Sequence, residues 1–195
     1  MKVVELRREN LGVLRAFERS RFYVVLYTAD YGCAECEVLE ELIKVEGLED
    51  LIDLKVVVTH EEESIALALE LGVDVLPLVV VGSGGSKLRI DDPDPIQILL
   101  KLKEVLRSRI ELYETLRKQY EEYSRKLSEV LGRKVEVNYK LIPLLVKRVE
   151  DFGKPYCPCR TEISEKTVCP CVYHVEELRK YGRCRCGLFR LENSF

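Results

Sequence analysis

The chemistry open to this 195-residue chain lies in its eight cysteines, which fall into two sets by spacing. Six lie between Cys157 and Cys186 as three Cys-x-Cys pairs: Cys157-Pro-Cys159, Cys169-Pro-Cys171 and Cys184-Arg-Cys186. The other two form Cys33-Ala-Glu-Cys36. A thiolate either ligates a soft metal or attacks a disulfide. Cysteines at i and i+2 are poorly placed to bridge each other, because their Cα atoms are held too close, so each must find its partner in another pair. An iron–sulfur cubane takes four thiolates. Four of six leaves two, the number one redox disulfide needs. The prolines inside the first two pairs stiffen those loops and remove a backbone donor. A zinc site drawing on four of the six, with His174, is the alternative, although zinc modules more often use Cys-x-x-Cys knuckles. His174, in Tyr173-His-Val-Glu-Glu-Leu, reads as an exposed helical residue beside the site rather than a ligand. His60, at a strand end, has no assigned role.

The rest of the chain must fold around these sulfurs. Forty-seven per cent apolar residues can bury a core without disulfide staples. The longest apolar runs are strand-sized, so no membrane span is expected. Met1-Lys-Val-Val-Glu-Leu-Arg-Arg-Glu is too charged for a signal peptide, and a cytoplasmic setting is expected. In that reducing compartment, cysteine clusters read as metal ligands or redox catalysts. One residue in three is charged, a composition that suits a heat-adapted organism. The net charge of −3 argues against nucleic-acid binding. From Lys140 onward there are 11 Lys and Arg against 7 Asp and Glu. That excess is either surface scatter or a basic face that receives an acidic protein.

In chain order, Lys2–Ser20 reads as a helix with Leu11, Leu14 and Phe17 on one face. Arg21–Thr28 reads as a buried strand, and a short loop then delivers Cys33 at the start of a helical pattern through Ile43. Leu54–Val58 is the next strand. Thr59 with Glu62 makes a capping box for a helix to Leu71. Pro77 precedes the apolar strand Leu78–Val81, and Gly82–Ser86 turns it into Lys87–Ile90. Pro95 to Leu131 reads as nearly continuous helix, roughly 55 Å if unbroken at 1.5 Å per residue. Its stripe of Tyr113, Leu116, Tyr120, Tyr123, Leu127 and Val130 follows a 3-4 spacing. The stripe fits packing within the chain across a domain joint, or a dimer seam, so monomer and homodimer both remain open. The joint is placed near Arg107–Ile110. Val135–Val137 is extended, and Asn138 can cap a helix that ends at Gly153.

The order from Arg21 to Arg107, the Cys-x-x-Cys after the first strand and the late proline resemble the thioredoxin/glutaredoxin fold. Tyr-Thr-Ala-Asp-Tyr-Gly-Cys-Ala-Glu-Cys looks more like glutaredoxin than thioredoxin, and Tyr27 stands where thioredoxin has a buried carboxylate. The resemblance implies a four-stranded mixed sheet with flanking helices. It also implies Cys33 as exposed nucleophile, Cys36 as resolving thiol, a cis peptide at Pro77, and pairing of the Leu76 backbone with the substrate chain. Glu35 and Asp30 oppose a Cys33 thiolate, while the helix N-terminus favours it.

Tyr156-Cys-Pro-Cys-Arg160, Cys-Pro-Cys171 and Cys184-Arg-Cys-Gly-Leu-Phe189 resemble the catalytic chain of ferredoxin:thioredoxin reductase, from about Ser108 to Phe195. This resemblance implies a mainly α-helical domain over 108–195, fused to a thioredoxin-like domain over 1–107. It implies a 4Fe–4S cluster on Cys157, Cys169, Cys171 and Cys184, beside a redox disulfide of Cys159 and Cys186. It implies ferredoxin as electron donor and a thioredoxin- or glutaredoxin-type disulfide protein as acceptor, here Cys33–Cys36 first. The spacers of nine and twelve residues depart from the plant-type pattern. Arg185 replaces the usual histidine of the last pair, and a guanidinium cannot shuttle a proton. Two other classes stay open: a glutaredoxin-like oxidoreductase with a structural zinc tail, and a non-catalytic iron–sulfur sensor acting through the Tyr113–Val130 stripe.

Overall fold

The computed structural model describes residues 1–192. The chain divides into two compact units, with the division between Arg107 and Ser108. The sequence expectations for Asn193–Phe195 lie outside the described residues.

The first unit holds β1 (Lys2–Glu5), α1 (Leu11–Glu18), β2 (Phe22–Ala29), α2 (Ala34–Val45), β3 (Leu54–Val58), α3 (Glu62–Glu70), β4 (Leu78–Ser83), β5 (Ser86–Ile90) and α4 (Pro95–Val105). The strands form one mixed sheet in the order β1-β3-β2-β4-β5. β1 and β2 run parallel to β3, and β4 runs antiparallel to both β2 and β5. This is the expected thioredoxin-like class, with five strands where four were expected. The extra strand is Lys2-Val-Val-Glu5, where the sequence pattern predicts a helix over Lys2–Ser20. The helical period of Leu11, Leu14 and Phe17 covers only the second half of that stretch. The β-branched Val3 and Val4 take places beside Lys55 and Val56.

Alternation along β2 sends Tyr23, Val25 and Tyr27 to one face, where they join Leu14 of α1 and Leu67 and Ala68 of α3 in a buried cluster. Val24 and Leu26 face the other way and are also buried. The remaining helices, α2 and α4, pack on each other. A strand buried on both faces explains why Phe22–Ala29 has no polar alternation.

Two local expectations are corrected. The capping box of Thr59 and Glu62 does not form. The N-cap of α3 is Glu61, and the Thr59 N–H instead donates to Ser64 Oγ at 3.0 Å. The long helix breaks at Leu106, so Pro95–Leu131 becomes two helices. The hairpin is as expected. Gly84 and Gly85 have φ of 57° and 88°, the left-handed pair that a two-residue primed turn requires. The Leu76–Pro77 peptide is cis, and so is Cys169–Pro170.

The second unit holds α5 (Arg107–Leu131) from its second residue on, β6 (Val135–Val137), α6 (Ile142–Phe152), α7 (His174–Tyr181) and β7 (Phe189–Leu191). It is mainly helical, with β6 and β7 paired antiparallel. The α5 stripe is the core of this unit and not a seam. Leu116, Tyr120 and Leu127 are buried with Ile142, Leu145, Val146, Leu178, Phe189, Cys169 and Cys184. Val130, the last stripe position, is exposed. Asn138 does not cap through its side chain. A short 3-10 turn over Tyr139–Leu141 leads into α6, and the Asn138 N–H donates to the Leu188 carbonyl. Gly153 ends α6 in the left-handed region, at φ 80°. Arg109 and Glu150 make a two-pronged ion pair at 2.8 and 2.7 Å, and the Arg109 side chain is only 5 % exposed.

Gly82 offers a test of packing in the first unit. It lies opposite Tyr23 across β2 and β4, and a Cβ there would fall 2.1 Å from Tyr23 Cε1. The Tyr23 ring is buried and has little room to move. Gly82→Ala is expected to cost about 1–3 kcal/mol in urea unfolding. Most of that cost should vanish in a Tyr23→Ala background. Equal costs in both backgrounds would show that the ring is not what the glycine accommodates.

Candidate functional site

In the first unit, Cys33 is the N-cap of α2 and is bonded to Cys36, with an S–S distance of 2.00 Å. Cys33 Sγ also accepts the Cys36 N–H at 3.2 Å. Cys36 is 1 % exposed, whereas Cys33 is partly open. An incoming thiolate can therefore reach only Cys33. The free N–H groups and dipole of α2 favour a thiolate released there. Glu35 and Glu37, in the first turn of the same helix, oppose it. Tyr27 is buried, and burial pushes its phenol well above the ordinary range, so this position holds a neutral group. Leu76 and Pro77, expected to touch substrate, line a groove of about 290 Å³ with Val75, Asp91, Asp92 and Pro93.

In the second unit, each Cys-x-Cys pair lies in or beside a tight turn. The Arg160 N–H closes on the Cys157 carbonyl, the Gly187 N–H on the Cys184 carbonyl, and the His174 N–H on the Cys171 carbonyl. The first two pairs are tied together by a bridge between Tyr156 and Val168, with the Cys157 N–H donating to the Thr167 carbonyl and the Cys169 N–H to that of Pro155. The third is tied to β7 through the Cys184 N–H and the Phe189 carbonyl. Sequence separation of up to 29 residues thus collapses into one sulfur-lined site.

All six thiols are free, with Cys157, Cys169, Cys171 and Cys184 buried and Cys159 and Cys186 partly exposed. The sulfurs of Cys157, Cys159 and Cys186 lie within 4.8 Å of one another. Cys157 Sγ is 3.3 Å from Cys159 Sγ, and Cys184 Sγ is 3.5 Å from Cys186 Sγ. The close trio joins one expected ligand to both members of the expected exchanging pair. The two sulfurs inferred to exchange, Cys159 and Cys186, are therefore neighbours although 27 residues separate them.

Burial sets the electrostatics. It is the main force that pushes Cys169 far above the ordinary thiol range, with neighbouring sulfurs adding to it. Hydrogen bonding with Cys157 and then burial do the same to Cys171. Cys171 favours the Cys157 thiolate, but Cys186 and burial outweigh it and push Cys157 up to about 12. Cys157 favours the Cys186 thiolate, but Cys184 and burial push Cys186 up to about 12. Cys184 alone moves down, held by its contact with Cys186. A set of buried sulfurs that cannot ionise together fits a cationic centre, which would reverse that balance and hold them as thiolates. The donor set is sulfur throughout, which suits an iron–sulfur cluster or zinc.

Several shaping residues were missed in the sequence. His174 is buried, not exposed as expected. Its Nδ1 lies 2.5 Å from the Cys171 carbonyl and its Nε2 2.6 Å from the Tyr123 hydroxyl. The Tyr120 hydroxyl donates to the Cys169 carbonyl at 3.3 Å. Both tyrosines were legible as stripe positions, but only long-range folding shows that they face the second cysteine pair. Glu177 accepts from Arg160 Nη2 at 2.5 Å and from the Arg185 N–H at 2.8 Å. No sequence spacing announces it. Arg185 itself is exposed, and it lines a surface pocket with Glu177, Tyr181, Arg183 and Cys184.

Residues 107–194 match the family described as "Ferredoxin thioredoxin reductase catalytic beta chain". Among solved structures, a thioredoxin from Nicotiana alata is 18% identical, with 53% of this chain and 91% of that one covered and a TM-score of 0.40. A thioredoxin from Fasciola hepatica is 19% identical, covering 55% and 98%, with a TM-score of 0.40. Thioredoxin O2 from Arabidopsis thaliana, in its oxidized state, is 22% identical, covering 55% and 93%, with a TM-score of 0.40. Comparison with curated proteins gives no match. Residues 107–194 are thus similar to the reductase catalytic chain, and the first unit has the sheet of the thioredoxin-like class. Together with the cysteine site, this supports an oxidoreductase of disulfides. No helix among the described residues is long and apolar enough to cross a membrane.

His174→Leu keeps the bulk but leaves the Tyr123 hydroxyl without its partner and the Cys171 carbonyl with the backbone N–H of residue 174 alone. The expected loss is about 1–3 kcal/mol in the unfolding of the second unit. An unchanged urea midpoint would show that the histidine does not tie the Cys171 turn to α5.

Proposed function

We propose that this chain is a ferredoxin-dependent disulfide reductase whose two sulfur sites act in series. The observation that carries the reading is the placing of Cys159 and Cys186 side by side, partly open, among four buried cysteines. Cys157, Cys169, Cys171 and Cys184 would hold a 4Fe–4S cluster. When bound, that cluster would supply electrons one at a time from ferredoxin, an acidic donor suited to the basic excess of the second unit. Every other step belongs to the protein's own sulfurs.

Reduction of a Cys159–Cys186 disulfide by two electrons and two protons gives two thiols. Cys159, partly open to solvent, attacks Cys33, the more accessible sulfur of the first unit's disulfide. The Cys159–Cys33 bond forms, the Cys33–Cys36 bond breaks, and Cys36 leaves as the thiolate. Cys186 then attacks Cys159, which re-forms Cys159–Cys186 and releases the Cys33 thiol. Two electrons have moved from one pair to the other. The reduced Cys33 and Cys36 repeat the same exchange on a protein disulfide, with Leu76 and Pro77 presenting the groove that receives its chain. Fusion keeps the two sites at a raised effective concentration.

Protein purified without air should be coloured and carry about four iron and four sulfide per chain. Cys169→Ser should lose both, and Cys159→Ser should keep them. With ferredoxin supplying electrons, Cys159→Ser should leave Cys33–Cys36 oxidised by thiol trapping and mass spectrometry. Colourless protein that holds zinc sinks the cluster. Unchanged reduction of Cys33–Cys36 in Cys159→Ser sinks the relay.

A further inference from the structure

The Cys159 and Cys186 sulfurs sit on two separate turns, with no chain segment between them shorter than 26 residues. A disulfide closes only when two Cβ atoms are about 3.5–4.5 Å apart. Something must therefore fix the first turn against the third. The backbone bridges described above tie the first turn to the second, and the third to β7. Beyond the sulfurs themselves, a side chain that reaches both the first and the third turn is Glu177.

Glu177 stands in the first turn of α7, with 17 % of its side chain exposed. One carboxylate oxygen, Oε1, accepts from the guanidinium of Arg160, the residue that follows Cys159. The other, Oε2, accepts from the backbone N–H of Arg185, the residue that precedes Cys186. A single carboxylate thus joins the neighbours of both exchanging cysteines. Arg160 is itself steadied from the other side, with its guanidinium 4.5 Å above the Tyr173 ring at the foot of α7. Neither contact reaches a sulfur, so Glu177 neither ligates nor reacts.

We propose that Glu177 is the positioning residue of the Cys159–Cys186 pair, holding the two turns at the separation that lets their sulfurs bond and part without moving the backbone. The proposal rests on the reading of these two cysteines as the exchanging pair. A carboxylate suits this place because both donors need an acceptor and an amide offers only one. The Arg160 contact is charge-assisted, and the Arg185 contact fixes backbone rather than a flexible side chain. A clamp of this kind raises the effective concentration of one thiol toward the other. It acts on the closing equilibrium of this pair.

The test is thiol–disulfide equilibration of the full-length protein with reduced and oxidised glutathione, without air. Closure turns two thiols and one oxidised glutathione into the Cys159–Cys186 disulfide and two reduced glutathiones. Each pair is read separately by trapping and peptide mass spectrometry, with Cys33–Cys36 as the internal reference. Glu177→Ala should lower the closing constant of Cys159–Cys186 by on the order of tenfold, about 30 mV for this two-electron couple, and leave that of Cys33–Cys36 unchanged. Should the alanine protein fail to fold, Glu177→Gln decides by the same measurement. It keeps the shape but loses one acceptor, and a severalfold fall is expected. A wild-type protein that never forms Cys159–Cys186 overturns the redox reading and the clamp with it. A pair that closes in wild type with a constant unmoved by either variant overturns the clamp alone.

Discussion

The structure of the second unit depends on one constraint: four of its six gathered sulfurs are buried, where thiolates crowded together are unfavourable. Burial holds Cys169 far above the ordinary thiol range, and hydrogen bonding with Cys157 followed by burial does so for Cys171. The apolar part of the unit creates that condition. Leu116, Tyr120 and Phe189 close over Cys169 and Cys184 as they would over any hydrophobic side chain. Free cysteine packs as a small hydrophobe, so a cluster of protonated thiols costs the fold little. The same sulfurs, as thiolates, would hold a cationic centre that balances their charges. The surrounding hydrogen bonds are directed at backbone groups beside the sulfurs. Tyr120 donates to the Cys169 carbonyl, His174 meets the Cys171 carbonyl, and Ser124 reaches the Val135 carbonyl on the neighbouring strand. These contacts fix where the sulfurs lie and leave their bonding capacity open.

The first unit solves a different problem with its sulfurs. It places one disulfide where a strand ends and a helix begins, so that one sulfur is sealed and the other faces outward. Phe22–Ala29 is buried on both faces and rigid, which fixes the start of α2. The helix terminus favours negative charge on Cys33, while Glu35 and Glu37 beside it disfavour that charge. The two effects oppose each other within one helical turn. They reach magnitudes of about 0.3–1 kcal/mol each at a surface, so neither overwhelms the other.

Most of the sulfur chemistry was legible in the sequence, because Cys-x-Cys and Cys-x-x-Cys are local facts and tight turns are local structures. The strand Phe22–Ala29 and the hairpin at Gly84–Gly85 were legible for the same reason. Failures arose where a segment takes its state from a distant partner. Lys2–Glu5 is a strand only because β3 lies beside it. Phe189–Leu191 is a strand only because β6 offers an edge. His174 read as exposed because its own helix is polar, yet it is buried by Tyr123, 51 residues away. Tertiary context outweighs short-range pattern at such places. The Tyr113–Val130 stripe reads as a packing face across the domain joint or in a dimer seam, whereas Leu116, Tyr120 and Leu127 pack inside the second unit, because period alone does not name what a face packs on. The sensor reading needed that stripe as a free surface, and the burial of Leu116, Tyr120 and Leu127 removes it.

The first turn of α7 draws these threads together. Three Cys-x-Cys turns from different parts of the chain need a common reference, and one helical turn touches all of them. The His174 backbone N–H and ring meet the Cys171 carbonyl, which registers the second turn. Glu177, three residues on and therefore on the same face, reaches the first turn through Arg160 and the third through the Arg185 N–H. Leu178, fully buried, anchors the helix in the core. A helix is a better ruler than a loop here, because its internal hydrogen bonds keep residues 174 and 177 at a fixed spacing whatever the sulfurs are bonded to. The frame that orders the cysteines is thus built from backbone and side-chain contacts beside the sulfurs and not from bonds between them.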